Sequence, residues 1–219
     1  SDRPNIILIT THDTGRHFGC YGIETVHTPA LDAIAGDGYL FDNYFTTVPV
    51  CSPSRGAMLT GRYPQTNGLV GLTHSPWDWY FNEGERHLSH ILRDAGYYTG
   101  LFGLQHESSN TDTLGFQKTD AQRKPNGGRA PCLDVAESLA TFLKSDATSK
   151  SPFYAQVGFF ETHRPHDYGE VTPDDSKGVY VPPYLKEDEI SRAELALQQG
   201  AIRRVDEAVT IIHNALQES

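Results

Sequence analysis

Asn5-Ile6-Ile7-Leu8-Ile9-Thr10, running straight into Thr11-His12-Asp13-Thr14-Gly15, is the stretch that decides the fold. Four aliphatic residues in unbroken succession do not alternate with polar ones, so the segment reads as a strand packed on both faces. Working outward, Thr28-Pro29 opens a helix pattern through Leu31 and Ile34 that stops at Gly36. Residues 39–45 fit a second strand, 87–95 a helix ended by Gly96, and 98–102 a third strand. Val135, Leu139, Phe142 and Leu143 mark one face of another helix, and 153–160 reads as a further buried strand. Ser191 with Glu194 forms a capping box for a last helix carrying Ile202, Val205, Val209, Ile212 and Leu216 along one face. Strand then helix, repeated, predicts an α/β fold: a mainly parallel sheet with helices on both faces. Ligands then gather at the carboxyl ends of the strands. Residues 123–129 and 172–178 read as flexible.

Composition bounds the function. With 219 residues, 37% of them hydrophobic and 21% charged, the chain can bury a substantial core as one domain or as a large piece of one. A net charge of −10 opposes general binding to nucleic acid or to anionic membranes, so neither is expected as a partner. No apolar stretch is long enough to span a bilayer, and no signal peptide is visible. No asparagine begins a glycosylation sequon, which favours a bacterial cytoplasm or periplasm. Cys20, Cys51 and Cys132 make an odd count without metal-ligand spacing, so they are no disulfide framework.

The chemistry concentrates at Cys51-Ser52-Pro53-Ser54-Arg55, which continues through Met58-Leu59-Thr60-Gly61-Arg62-Tyr63-Pro64. Pro53 suits the first helical position, Ser52 can cap, and Gly61 can close the helix. Cys51 then sits just ahead of free backbone N–H groups, where anions are favoured. Arg55, one turn later, returns to the same face. A thiol-phosphatase loop needs more residues between its cysteine and arginine, so that reading fails.

This segment resembles the signature of the type I sulfatases, formylglycine-dependent members of the alkaline phosphatase superfamily. The resemblance runs from about Pro4 onward. It implies an alkaline-phosphatase-like three-layer sandwich, of which this chain is expected to be the N-terminal part. It also implies oxidation of Cys51 to formylglycine by a formylglycine-generating or anaerobic maturation enzyme. A hydrated aldehyde carries two hydroxyls: one attacks sulfur, and loss of the other's proton later expels sulfate. In the family a divalent cation assists, calcium foremost with manganese or zinc as alternatives. Asp13 and the modified Cys51 are its implied ligands, with His12 standing where an aspartate is usual.

Gly103-Leu104-Gln105-His106 is similar to a family motif whose histidine matches His106 and whose lysine is replaced by Leu104. Arg164 is one candidate for the missing charge. His163-Arg164-Pro165-His166 resembles the segment whose first histidine faces the scissile sulfate. The implied catalytic set is Cys51, Arg55, His106 and His163, with Arg164 and His166 contacting substrate. Residues 51–72 most resemble the heparan N-sulfatase (sulfamidase) branch, which suggests hydrolysis of a sulfate ester or sulfamate on a sugar or another small molecule. A phosphomonoester or phosphonate hydrolase and a silent anion-binding relative are the alternatives. After a helix like 191–215 the family continues with a strand bearing another metal pair and a smaller C-terminal domain, so a following segment or a second chain is expected to complete the enzyme.

Overall fold

The computed structural model describes residues 3–122 and 128–219. Four parallel strands form its frame: β1 (Ile6–Thr10), β2 (Tyr98–Gly103), β3 (Lys118–Asp120) and β4 (Phe153–Gly158), in the order β1-β4-β2-β3. Thr10 lies opposite Gly158 on one side of β4, and Gly103 opposite Gly158 on the other, so three carboxyl ends finish level. Parallel neighbours need long crossovers. These are supplied by α1 (Pro29–Asp37), α2 (Cys51–Thr60), α3 (Pro64–Asn67) and α4 (Leu88–Asp94) before β2, and by α5 (Cys132–Leu143) and α6 (Asp146–Lys150) before β4. α7 (Glu189–Gln217) closes the described chain.

One face of the sheet is apolar. Val135, Leu139, Phe142 and Leu143 line up along α5 and pack with Phe153, Ala155 and Val157 of β4 and with Val205, Val209 and Ile212 of α7. Each such large side chain, taken out of water, contributes about 1.5–3 kcal/mol. α1 docks on this layer through polar bonds: the Asp206 carboxylate of α7 accepts the amides of Ala30 (3.2 Å) and Leu31 (2.8 Å) in the first turn of α1. Those amides have no partner within their own helix. On the other face, the alternation of β4 turns Tyr154 and Gln156 toward the α4 side, where Phe116 stacks on Tyr154. The expected α/β sheet with helices on both faces is therefore present.

Several local expectations differ from the outcome. Residues 39–45 form no strand; Tyr39, Phe41, Tyr44 and Phe45 are exposed, and no strand lies beside them among the described residues. The buried run at 153–160 ends as a strand at Gly158, and β3 was not foreseen. Ser191 does not cap α7: the Asp188 carboxylate accepts its amide at 2.9 Å, which places Ser191 inside the first turn and frees Glu194 for another partner. Val50, not Ser52, stands at the N-cap of α2, with Cys51 first and Pro53 third. Proline is tolerated there because the first amides of a helix are unbonded in any case. Leu216 is exposed, so the buried stripe of α7 ends near Ala215. Of the two stretches read as flexible, 172–178 is tied to α7: Gln199 Nε2 donates to the carbonyls of Asp174 (2.7 Å) and Gly178 (3.1 Å). Residues 123–127 of the other lie outside the described residues.

Candidate active site at the strand ends

Two glycines let the strand ends converge. A Cβ on Gly103, which has φ +75°, would stand 2.4 Å from the Gly158 carbonyl oxygen, and one on Gly158 would stand 1.9 Å from that of Leu104. No side chain fits at either position, so the loops after β2 and β4 leave the sheet side by side. The loops after β1 and β4 are joined as well. Phe159 donates its amide to the Thr10 carbonyl (3.0 Å), and His12 its amide to Thr162 Oγ1 (3.1 Å).

Three strand-end motifs thereby meet. Candidate ligand atoms of His12, Asp13 and His163 all lie within 4.8 Å of one another. The His12 ring stands 5.1 Å from that of His163 and 5.2 Å from that of His106, each edge to face. Asp13 adopts φ 49°, a left-handed turn that aspartate tolerates, and Gln198 of α7 holds its carbonyl at 3.0 Å. Burial, followed by the field of Arg55, lowers the His12 pKa to about 2; burial, followed by Arg129, lowers that of His106 to about 4. Both rings are neutral at physiological pH. His12 Nε2 is buried without a hydrogen-bond partner. A neutral imidazole with an unused nitrogen beside a carboxylate and a second imidazole fits a divalent cation. An imidazole nitrogen beside a carboxylate suits manganese, iron or zinc better than calcium, which prefers oxygen.

Cys51 stands outside that three-residue group. It is a half-buried free thiol at the first position of α2. The first backbone bond of the helix runs from the Ser54 amide to the Val50 carbonyl (2.9 Å), and Pro53 has no N–H, so only the amides of Cys51 and Ser52 remain at this end. Arg55 is buried and reaches the end of β1, donating to Thr10 Oγ1 (2.8 Å) and to the Thr11 carbonyl (3.2 Å). The cysteine helix is thus fastened to the residues immediately before His12.

Arg164 and His166 occupy a different place. The Arg164 side chain is 72% exposed and pairs with Glu194 at 2.7 Å; His166 Nε2 lies 3.8 Å from the same carboxylate. With Asp13 they line a cavity of about 910 Å³ whose wall includes none of Cys51, Arg55, His106 or His163. The expected site residues therefore divide into an inner group and a cavity-wall group, with Asp13 common to both sides.

Three residues that sequence reasoning passed over stand at this site. Arg129 lies with its guanidinium 4.3 Å over the Phe160 ring and with Nη1 3.1 Å from His106 Nε2, and Phe160 in turn stacks on His163 at 4.8 Å. Glu107 is fully buried and accepts hydrogen bonds from the His106 amide and from Gln156 Nε2, the latter at 2.7 Å. Burial raises its pKa, but His87, Arg55 and the His106 amide outweigh that and leave the carboxyl below its usual range. Glu161, also buried, accepts the Cys132 amide at the start of α5, so a helix end steadies the loop that carries His163. A charge directly beside His106 was the one signal for Glu107. Arg129 follows a Pro-Asn-Gly-Gly stretch that offers no motif.

Known proteins resemble this chain in sequence and in fold. An ulvan-active sulfatase of Formosa agariphila is 29% identical over 99% of this chain, which covers 41% of its own length. The human N-sulphoglucosamine sulphohydrolase is 29% identical over 98% of the chain, covering 47% of its length. A solved 2-O GAG sulfatase superposes over the whole chain with a TM-score of 0.72 at 20% identity, 55% of that structure being covered. The chain thus spans under half the length of these curated relatives, and it has the alkaline-phosphatase-like fold of the solved sulfatase. The family pattern described as Sulfatase matches residues 4–219, and the chain belongs to the sulfatase family.

Proposed function

We propose that this chain carries the Cys51 side of a sulfatase centre that hydrolyses a sulfate ester or sulfamate, with a sugar as the leaving group. The observation that carries the reading is the meeting of three strand-end motifs, with His12, Asp13 and His163 within 4.8 Å of one another, His106 beside them and Arg55 reaching in from the Cys51 helix. The names of the two curated relatives, one ulvan-active and one acting on N-sulphoglucosamine, support a saccharide.

Oxidised by a maturation enzyme and hydrated, residue 51 supplies two hydroxyls on one carbon. One oxygen bonds sulfur as the sulfur–leaving-group bond breaks, and removal of the other's proton then re-forms the carbonyl and releases sulfate. Arg55 balances the negative charge gathering on the sulfuryl oxygens. His163 is placed to protonate the leaving oxygen: its Nδ1 proton is held by the Arg164 carbonyl, so Nε2 is the nitrogen that picks up and delivers the proton. His106 faces the same space as a neutral donor or acceptor. His12 and Asp13 would hold a divalent cation, which when bound would supply Lewis-acid stabilisation of the developing negative charge. Arg164 and His166 contact the remainder of the substrate from the 910 Å³ cavity. β1 pairs on one side only among the described residues, and its free edge suits the further strand that the family resemblance implies.

The test is turnover by the natural full-length protein, made with a maturation enzyme, on sugar sulfate, sugar sulfamate and aryl phosphate. Sulfuryl transfer that Cys51→Ala abolishes without a change in melting temperature supports the reading. Phosphate turnover far above sulfate, or full activity in Cys51→Ala, contradicts it.

A further inference from the structure

We propose that Arg129 is the second cation of this oxyanion site, gripping the non-reacting oxygens of the tetrahedral anion together with Arg55. The assignment rests on the sulfatase reading above and deepens it. Position 104, where family resemblance expects a lysine, cannot supply the charge: Leu104 is apolar, 9% exposed, and bound through its amide to the Gly158 carbonyl at 2.9 Å. Arg164 does not supply it either, since its side chain is turned outward to Glu194. Arg129 reaches His106 with its guanidinium. Its Nη1 is 3.1 Å from His106 Nε2, which accepts.

Two contacts hold it there. The face of Phe160 lies 4.3 Å beneath the guanidinium, a geometry that orients a planar cation, and Phe160 stacks on His163 at 4.8 Å. The Tyr168 hydroxyl donates to the Arg129 carbonyl and fixes the backbone. Arg129 thus lies against His106 and against the Phe160 ring on which His163 stacks, and a planar fork of N–H donors can serve His106 and an oxyanion together.

Inorganic sulfate, the reaction product, is the probe. Its binding to the full-length protein is measured by calorimetry and as competitive inhibition of aryl sulfate turnover. Losing one charge-assisted contact corresponds to roughly 10- to 100-fold, so Arg129→Met is expected to weaken sulfate by that factor and to raise KM more than it lowers kcat. Arg129→Lys, which keeps the charge, is expected to recover most of the affinity. Should Arg129→Met fail to fold, Arg129→Gln takes its place in the same comparison. Sulfate affinity unchanged in the uncharged variant, or lost equally in Arg129→Lys, overturns the assignment. The two readings fail separately. Wild-type protein that binds sulfate through Arg129 yet turns over no sulfate ester refutes the hydrolase, whereas active enzyme with Arg129-independent sulfate binding refutes this proposal.

Discussion

On the α5 side of β4, Phe153, Ala155 and Val157 meet Phe142, Val205 and Ile212; on the α4 side, Tyr154 and Gln156 face Glu107 and, beyond it, His87. Both layers are almost wholly buried, but one is hydrocarbon and the other is a chain of hydrogen bonds ending in a carboxylate. Apolar packing stabilises without direction. A buried polar chain costs desolvation and in return fixes orientation, because each member has only a few acceptable geometries. Here the chain runs from the Tyr154 hydroxyl to Gln156 (3.0 Å), from Gln156 to Glu107 (2.7 Å), and from Glu107 to the amide of His106. The apolar face holds the sheet together, and the polar face orients the candidate site residue His106.

That division can be broken by experiment. Leu139→Ala, on the apolar face, should cost about 2–5 kcal/mol in denaturant unfolding while leaving kcat/KM of the folded fraction unchanged. Glu107→Gln keeps the shape but removes the charge. It should cost about 1–3 kcal/mol and also lower kcat/KM, because the loop bearing His106 loses its anchor. If the first variant damages activity and the second does not, the contrast between the faces is wrong.

Acidity sharpens the comparison. His12 and His106 are held neutral in the fold, with pKa values lowered to about 2 and about 4, whereas unfolded histidine titrates near 6.5. As pH falls below about 6.5, the unfolded chain takes up these protons first, so stability falls. Each group contributes up to about 1.4 kcal/mol per pH unit, continuing to about pH 4 for His106 and pH 2 for His12. Urea midpoints of the cation-free protein between pH 7 and pH 5 read this directly, and a flat profile would contradict the neutral-histidine arrangement. Smallest of all, Tyr154→Phe removes one neutral hydrogen bond and should cost about 0.5–1.5 kcal/mol, with a slight loss of rate rather than none.

Much of this was legible in the sequence. Unbroken aliphatic runs at β1 and β4 and the 3.6-residue spacing in α5 and α7 announced the parallel sheet, because burial on both faces and helical periodicity leave local marks. His12, Asp13, His106 and His163 were found because stretches resembling family motifs follow β1, β2 and β4 in the sequence. The rest depends on distant partners. Residues 39–45 look like a strand until it is known that no strand lies beside them among the described residues, and Ser191 looks like a cap until Asp188 takes the amide. Arg129 is invisible in sequence for the same reason, since its meaning lies in Phe160 and His106, 31 and 23 residues away by their numbers.

The account stands or falls on the state of residue 51. The most direct measurement is the mass of the peptide spanning Cys51, isolated from the natural protein made in a host with the maturation enzyme. An aldehyde, seen as formylglycine or its hydrate, is the predicted result. An unmodified thiol, under conditions that convert a control sulfatase, would contradict the central claim.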